Sequence, residues 1–243
     1  MRTLRTDTSL QERFEEGGYI VLPGALDPAT VAGLREAARF AFERVVGTTI
    51  AERATHPRLT WWRLPDGRPY VFKIKPVADL AETFVEMASS PLLVDLATML
   101  LGSRATLMED KVTYKTALDI EAPWANLPVL GEEVRKHSDA AYFESRGFSR
   151  VLTVALCLDD CPAEAGALRV WPGSHRAIIE HVPTAEQGPV VPDESLPDFA
   201  AVTLTGEAGT VLAWDSALVH ASGPNQTTKP RRLLVLGYTA GGH

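Results

Sequence analysis

The decisive stretch of the sequence reads Val134-Arg135-Lys136-His137-Ser138-Asp139-Ala140-Ala141-Tyr142-Phe143, with a histidine and a carboxylate two positions apart. On an extended strand, side chains two residues apart point to the same face of the sheet. The His137 imidazole and the Asp139 carboxylate can then reach one metal ion from one side. They supply two ligands of the two-histidine, one-carboxylate arrangement that binds non-haem Fe(II) and leaves coordination positions open. His-x-Asp alone is a weak signal, so its surroundings decide the interpretation.

A third ligand has to come from the other histidines of the chain, which contains six in all. We expect it to be His220, because this residue follows the apolar segment 210–214 and lies near the end of a predicted strand. A histidine that faces inward at such a position is well placed to complete a metal site. The remaining histidines lie before a proline, in a Pro-Gly-Ser turn, after a polar strand end and at the last position: His56, His175, His181 and His243.

The composition is that of a globular protein with a substantial core, since 45% of the 243 residues are hydrophobic. The formal net charge of -7 argues against general binding to nucleic acid, which requires a basic surface. No apolar run approaches the roughly 20 residues that span a bilayer, and residues 1–14 are too polar for a signal peptide. We therefore expect a cytoplasmic protein without a nucleic-acid or membrane partner.

The chain changes character near Gly102. Residues 1–102 predict mainly helices, including a long helix that opens at Asp27-Pro28 with a capping residue followed by proline. Residues 47–68 lack a periodic pattern and predict a loop with a turn. Residues 103–240 contain short apolar runs separated by turns, which indicate an all-β sandwich or barrel. We predict one domain over residues 1–243, of α+β or mostly β class, with the N-terminal helices on one face of the sheet.

Further motifs follow His137-Ser138-Asp139 in a fixed order. Leu158-Asp159-Asp160 precedes a Gly-x-Leu-x-x-x-Pro-Gly-Ser-His segment at 166–175, and residues 209–215 lead into His220. Residues 220–225 match His-x-Ser-x-x-Asn, and an arginine follows at position 231. Taken together, these segments resemble the phytanoyl-CoA dioxygenase-like family of Fe(II)/2-oxoglutarate oxygenases over about residues 105–240. The resemblance implies a double-stranded β-helix core, the jelly-roll fold that cupins share.

The resemblance also implies the catalytic metal site. His137, Asp139 and His220 would bind Fe(II), with 2-oxoglutarate as cosubstrate and O2 completing the coordination. Arg231 and Ser222 would bind the distal carboxylate of 2-oxoglutarate. An arginine suits this role because its planar fork pairs with two oxygens and keeps its charge. Arg232 would point to the opposite face of a regular strand.

Other positions follow from the same alignment or from their place on predicted strands. We expect further cosubstrate contacts from Lys73, Lys111 and Thr153, with Lys75 and Lys115 as alternatives to the two lysines. Substrate contacts are expected from Tyr142, Trp61 and Trp62. Acidic residues in the loops between strands, among them Asp119, Glu121, Glu132 and Glu133, suggest a polar or cationic substrate.

The implied reaction is the oxidation of a small molecule, such as a secondary metabolite, coupled to decarboxylation of 2-oxoglutarate to succinate. Hydroxylation, desaturation or ring closure are all compatible with it. Halogenation is not expected, because related halogenases replace the metal-binding carboxylate that Asp139 supplies here. A redox-inactive cupin-like isomerase or hydrolase could use the same three ligands, and a jelly-roll module without catalysis is a second alternative. We expect a monomer or homodimer.

Overall fold

The computed structural model describes residues 8–131, 133–184 and 188–241, so Glu132 and His243 lie outside the described residues. The helices are α1 (Thr8–Gly17), α2 (Pro28–Glu52), α3 (Glu82–Ala88), α4 (Pro91–Leu101) and α5 (Ala140–Glu144). The strands are β1 (Tyr19–Leu22), β2 (Leu59–Arg63), β3 (Pro69–Ile74), β4 (Ala105–Ala117), β5 (Val134–His137), β6 (Val151–Cys157), β7 (Leu168–Val170), β8 (Val202–Leu204), β9 (Val211–Asp215), β10 (His220–Ser222) and β11 (Leu233–Ala240).

These strands form two antiparallel sheets. The larger sheet has the order β1-β9-β6-β11-β4-β3-β2, and the smaller has the order β5-β10-β7-β8. The consecutive strands β2, β3 and β4 pair at one edge of the larger sheet, whereas its other neighbours, such as β9, β6 and β11, are far apart in the chain. This arrangement confirms the predicted jelly-roll core with N-terminal helices.

The helices cover the outer face of the larger sheet. Leu34 of α2 and Leu93 of α4 belong to the same buried cluster as Val154 and Leu236 of the sheet. Their burial removes apolar surface from water, which is the main favourable term in folding. Tyr238 adds a polar tie, because its hydroxyl donates a hydrogen bond of 2.7 Å to the carbonyl of Ala88.

Helix α2 begins where the sequence predicts. The Asp27 carboxylate accepts hydrogen bonds of 3.0 Å from the backbone N–H groups of Ala29 and Thr30. Pro28 occupies the first turn, where its missing N–H leaves no helical hydrogen bond unmade.

The predicted loop over residues 47–68 is wrong over most of its length, although the predicted turn is present at residues 65–67. Helix α2 continues to Glu52, and strand β2 carries both Trp61 and Trp62. The pairing of β2 with β3 shifts between Thr60 and Trp61, which marks a β-bulge. Trp61 is buried in the cluster that contains the helices, and Trp62 in a second cluster with Leu64 and Tyr70. The alternation of buried and exposed residues that identifies a strand is therefore absent from this segment.

The predicted strand through the His-x-Asp motif is also wrong at its second half. Strand β5 ends at His137, and Asp139 caps the short helix α5 with a helical backbone conformation (φ -86°, ψ -6°). The two side chains converge because the chain turns into a helix, and not because they share one face of a pleated strand.

Among the helices of the described ranges, none is both long and apolar enough to cross a membrane by itself. The successive helices Glu82–Ala88 and Pro91–Leu101, bent by 42° at their junction, together reach the required length and composition.

Candidate metal centre and cosubstrate pocket

Three side chains meet at the edge of the smaller sheet. His220 begins β10 and lies directly opposite His137 of β5 in the antiparallel pairing. The Asp139 carboxylate lies 3.6 Å from His137 Nε2 and 3.7 Å from His220 Nε2. One ligand atom from each residue lies within 4.8 Å of the other two. This spacing places two imidazole nitrogens and one carboxylate oxygen around a common point.

Hydrogen bonds on the far side of each ring orient the two histidines as ligands. His137 Nδ1 lies 2.8 Å from the carbonyl oxygen of Arg135, and His220 Nδ1 lies 3.0 Å from that of Leu218. A carbonyl only accepts hydrogen bonds, so each Nδ1 carries the proton and each Nε2 presents its lone pair. Fixing the tautomer in this way is the usual arrangement around a metal-binding histidine.

The charges of the site favour the forms that bind a metal. Burial lowers the pKa of His220 to about 4, with the neighbouring His137 adding to the effect, so His220 is neutral at pH 7. Burial opposes ionisation of Asp139, yet the adjacent histidines and the ammonium groups of Lys111 and Lys73 hold its pKa below the usual value. Neutral imidazoles and an ionised carboxylate are the states that coordination requires.

His181 and Ser216 hold the turn between the two ligands of the motif. The backbone N–H of Ser138 donates to His181 Nε2 over 3.2 Å, and the backbone N–H of Asp139 donates to the carbonyl of Ser216 over 2.8 Å. His181 thus positions the motif from behind. Nothing in the sequence around His181 indicates this role, because its partner is a backbone group distant in the chain.

A cavity of about 450 Å³ opens from these ligands and lies between the two sheets. It is lined by strands of both sheets, which explains why residues distant in the chain share it. It brings together ten of the eleven residues predicted for the site: His137, Asp139, His220, Arg231, Ser222, Lys73, Lys111, Thr153, Trp61 and Trp62.

Tyr142 is the predicted residue that lies outside this cavity. Its side chain is 47% exposed, and its hydroxyl accepts hydrogen bonds from Lys75 Nζ over 2.9 Å and from Arg146 over 3.0 Å. The prediction assumed that the strand continued past Asp139, whereas helix α5 turns Tyr142 away. Lys75 also lies outside the cavity lining, because its ammonium pairs with Glu109 at 2.5 Å.

Arg231 provides a buried positive charge in the cavity wall. Only 3% of it is exposed, and among the described residues its guanidinium makes one hydrogen bond, a long contact of 3.5 Å to the Thr113 hydroxyl. Its Nε has no hydrogen-bond partner among the described residues. A buried guanidinium without a carboxylate is costly unless a ligand supplies the anion. The cavity therefore fits a ligand with a carboxylate group.

Two further lysines that line the cavity differ in their partners. Lys111 is paired with Glu109 at 2.7 Å. Lys115, an alternative to Lys111 in the sequence analysis, is buried and donates to the Ser222 hydroxyl over 2.8 Å. His175 lies away from the cavity, where its Nε2 is 3.2 Å from the carbonyl oxygen of Glu15. The Pro-Gly-Ser-His turn is therefore structural, as expected.

Comparisons with known proteins agree with this geometry. The model of the phytanoyl-CoA dioxygenase family (PhyH) matches residues 14–233. The chain is 28% identical to L-proline trans-4-hydroxylase from Streptomyces griseoviridis, over 93% of this chain and 84% of that enzyme. Its fold is similar to that of EctD from S. alaskensis, solved with 2-oxoglutarate and 5-hydroxyectoine, with a TM-score of 0.71 and 25% identity over 97% of this chain and 76% of that one.

A similar fold occurs in the epimerase SnoN, solved in complex with Fe3+, alpha ketoglutarate and nogalamycin RO. The TM-score is 0.69, with 24% identity over 96% of this chain and 83% of that one. The family match spans both the helical part and the β core, and it includes the three ligand positions and Arg231. The chain belongs to the phytanoyl-CoA dioxygenase family and is an iron- and 2-oxoglutarate-dependent dioxygenase.

Proposed function

We propose that this dioxygenase hydroxylates a small anionic or zwitterionic metabolite, of the kind used in secondary metabolism. The observation that carries the proposal is the charge of the cavity. Four cations line it, Lys73, Lys111, Lys115 and Arg231, against the two carboxylates of Glu133 and Asp139. Lys111 is also paired with Glu109, and bound Fe(II) and the 2-oxoglutarate dianion would neutralise each other, so one positive charge is left for the substrate.

The substrate charge proposed here is opposite to the one suggested by the loop sequences. Asp119 and Glu121 line a separate surface groove together with Arg63 and Arg68, and so they do not face the iron cavity. Glu133 is the acidic loop residue that does line it. The cavity size also supports a small substrate, since ligand sites of roughly 300–1,000 Å³ accommodate drug-sized molecules and 2-oxoglutarate fills part of this one.

Each part of the site has a proposed role in this reaction. His137, Asp139 and His220 would hold the iron from one side and leave its other positions facing the cavity. The chemistry that bound iron and cosubstrate supply is oxidation of an unactivated C–H bond, with formation of succinate and CO2. Arg231 and Ser222 would fix the cosubstrate, with Lys73, Lys111 and Thr153 around it: these assignments are proposals.

Two tryptophans of β2 are proposed to bind the substrate. Trp61 and Trp62 line the cavity, and their indole N–H groups have no hydrogen-bond partner within the described ranges. Their rings supply a rigid apolar wall that excludes water from the reaction. A redox-inactive isomerase or hydrolase would have no need for the unpaired guanidinium of Arg231, and this observation favours the dioxygenase.

The relatives illustrate the proposed substrate class. L-Proline, named for the Streptomyces enzyme, is a zwitterion with a carboxylate close to the oxidised carbon. The SnoN complex with nogalamycin RO shows that the fold also serves antibiotic biosynthesis. These similarities support a small metabolite as substrate and leave its identity to experiment.

A paired substrate screen tests this proposal. Iron-loaded protein is mixed with 2-oxoglutarate and either an anionic compound or its uncharged or cationic analogue, such as L-proline and L-prolinamide. Succinate formation and a mass increase of one oxygen atom in the compound are measured. We expect stimulation by members of the acidic set and not by their amides. Stimulation by amides or neutral acyl compounds alone would contradict the proposed charge.

We further propose that the chain works as a single-domain cytoplasmic enzyme, as a monomer or homodimer. The net charge of -7 supports the expectation that nucleic acid is not a partner. Light scattering after size-exclusion chromatography measures the oligomeric state directly.

A further inference from the structure

Lys115 enters the cavity because strand β4 is irregular at this point. In the pairing of β3 with β4, Val71 lies opposite Thr116 while Lys73 lies opposite Thr113, so the register shifts between these pairs. Lys115 has a positive φ of 49°, which is uncommon for a residue other than glycine. Such a β-bulge redirects a side chain, and bulges occur often beside active sites.

The Lys115 ammonium is held by two oxygens of the strand and loop that follow His220. Its Nζ donates to the Ser222 hydroxyl over 2.8 Å and to the carbonyl of Gly223 over 2.5 Å. In its protonated form Lys115 only donates hydrogen bonds, so the Ser222 oxygen then acts as acceptor and its own proton points elsewhere. Lys115 thereby leaves the Ser222 hydroxyl able to donate its proton to a ligand. The third N–H bond of the Lys115 ammonium has no acceptor among the described residues.

The charged and titratable groups around Lys115 do not neutralise it. The titratable groups near Lys115 are Arg231, Glu133 and the Cys161 thiol, and among these the carboxylate of Glu133 favours its charged form. Lys115 makes no salt bridge within 4.0 Å in the part of the chain that the structure describes. In its charged form Lys115 places a second buried cation near Arg231, and it lies beside Ser222, which is expected to contact the same ligand. Such an arrangement is unfavourable until an anion binds between the strands.

We propose that Lys115 is a second cationic residue for the distal carboxylate of 2-oxoglutarate and acts together with Arg231 and Ser222. This inference rests on the use of 2-oxoglutarate by the family. It assigns the distal carboxylate to Lys115, which the sequence offered only as an alternative to Lys111. Lys111, the lysine preferred from the sequence, is instead neutralised by Glu109.

Binding of 2-oxoglutarate beside Lys115 should change the protonation state of its amine. Burial lowers the pKa of Lys115 to about 6, and the positive charge of Arg231 adds to this effect. A carboxylate placed beside the amine favours its charged form and raises the pKa. Binding of 2-oxoglutarate above pH 6 should therefore take up a proton, and the affinity should fall as the pH rises from this value.

Calorimetric titration of the iron-loaded protein under anaerobic conditions tests the assignment. The ligands are 2-oxoglutarate and 2-oxopentanoate, which has the same chain length without the distal carboxylate. The variants are Lys115→Met, whose side chain is similar in length, and Lys229→Met, which changes an exposed lysine. We expect Lys115→Met to weaken 2-oxoglutarate binding by about 10- to 100-fold, with 2-oxopentanoate binding and the Lys229→Met variant unaffected.

The results distinguish a wrong assignment of Lys115 from a wrong assignment of the dioxygenase function. A Lys115→Met variant that binds 2-oxoglutarate as well as the wild type, or that loses both ligands equally, would overturn the inference. Titration of the wild type at pH 7.5 in two buffers of different ionisation enthalpy should show proton uptake on binding of 2-oxoglutarate. Both Lys115→Met and Lys115→Arg should lack this uptake. Lys115→Arg should nevertheless recover part of the affinity for 2-oxoglutarate. Uptake that persists in Lys115→Met contradicts the assignment. A wild type that binds no 2-oxoglutarate would instead contradict the dioxygenase function itself.

Discussion

Two consecutive arginines show how position decides the role of one residue type. Arg231 lies in the cavity wall with its Nε unpaired among the described atoms, as described above. Arg232 points the other way and forms a two-pronged salt bridge with Asp159, with both contacts at 2.8 Å. One guanidinium is available for a ligand, and the other contributes to the stability of the fold.

Substitution of the two arginines should therefore have opposite effects. We expect Arg232→Met to lower the free energy of unfolding by about 2–3 kcal/mol, because it leaves Asp159 with the backbone N–H of residue 232 and the longer ion pair to Arg35. Arg231→Met should leave stability unchanged or increased, since it removes a buried uncompensated charge. It should weaken 2-oxoglutarate binding by about 100-fold or more. Chemical denaturation and ligand titration measure the two effects, and the reverse pattern would contradict this account.

Whether the place of a single residue could be predicted depended on what positions that residue. The clustering of His137, Asp139 and His220 and the place of Arg231 in the same cavity could be predicted, because short sequence motifs specify them. No sequence feature favoured Lys115 over Lys111 as the cosubstrate contact. The direction of the Lys115 side chain depends on a bulge in β4 that no residue pattern marks. The prediction that Tyr142 lines the cavity was wrong for a similar reason. The chain changes from strand to helix at Asp139, so the side chains that follow point in other directions than on a strand.

At the scale of elements, one glycine explains part of the family motif. Gly166 opens the Gly-x-Leu-x-x-x-Pro-Gly-Ser-His segment with a positive φ of 72°. A Cβ at this position would lie 2.5 Å from the carbonyl oxygen of Gly223 and 2.7 Å from that of Pro224. The glycine is required because the hairpin passes directly against the backbone that holds Lys115.

A second glycine shows how much of the effect of a substitution comes from the backbone conformation and how much from a close contact. Gly24 also has a positive φ, 62°, but an added Cβ would meet nothing within 4 Å. We expect Gly24→Ala to lower the free energy of unfolding by about 1 kcal/mol, from the backbone conformation alone. Gly166→Ala should cost about 3 kcal/mol, because overpacking against backbone atoms is added. Equal losses in thermal or chemical denaturation would show that the close approach is unimportant.

The elements of the chain differ in how far the sequence predicts them. The start of α2 and the strands after Gly102 follow local rules of capping and alternation, and the structure confirms them. Strand β2 escapes these rules, because Trp61 and Trp62 are both buried although they are consecutive. Tertiary packing decides such segments, and no local pattern reports it.

At the scale of the whole molecule, helices and sheet share one buried cluster that extends from Leu10 of α1 to Tyr238 of β11. We therefore propose that residues 1–243 unfold as a single domain. The prediction is one thermal transition whose calorimetric and van't Hoff enthalpies agree. Two resolved transitions, or a helical part that melts before the β core, would contradict the single domain.

The most direct test of the central claim is succinate formation from 2-oxoglutarate in air by protein loaded anaerobically with Fe(II). The wild type and His220→Ala are compared, with His56→Ala as a control at a histidine outside the cavity. We predict iron-dependent succinate in the wild type and in His56→Ala, and a loss of at least about 100-fold in His220→Ala, because the metal loses one of its three ligands. Succinate formation that is independent of iron, or that persists in His220→Ala, would contradict the account.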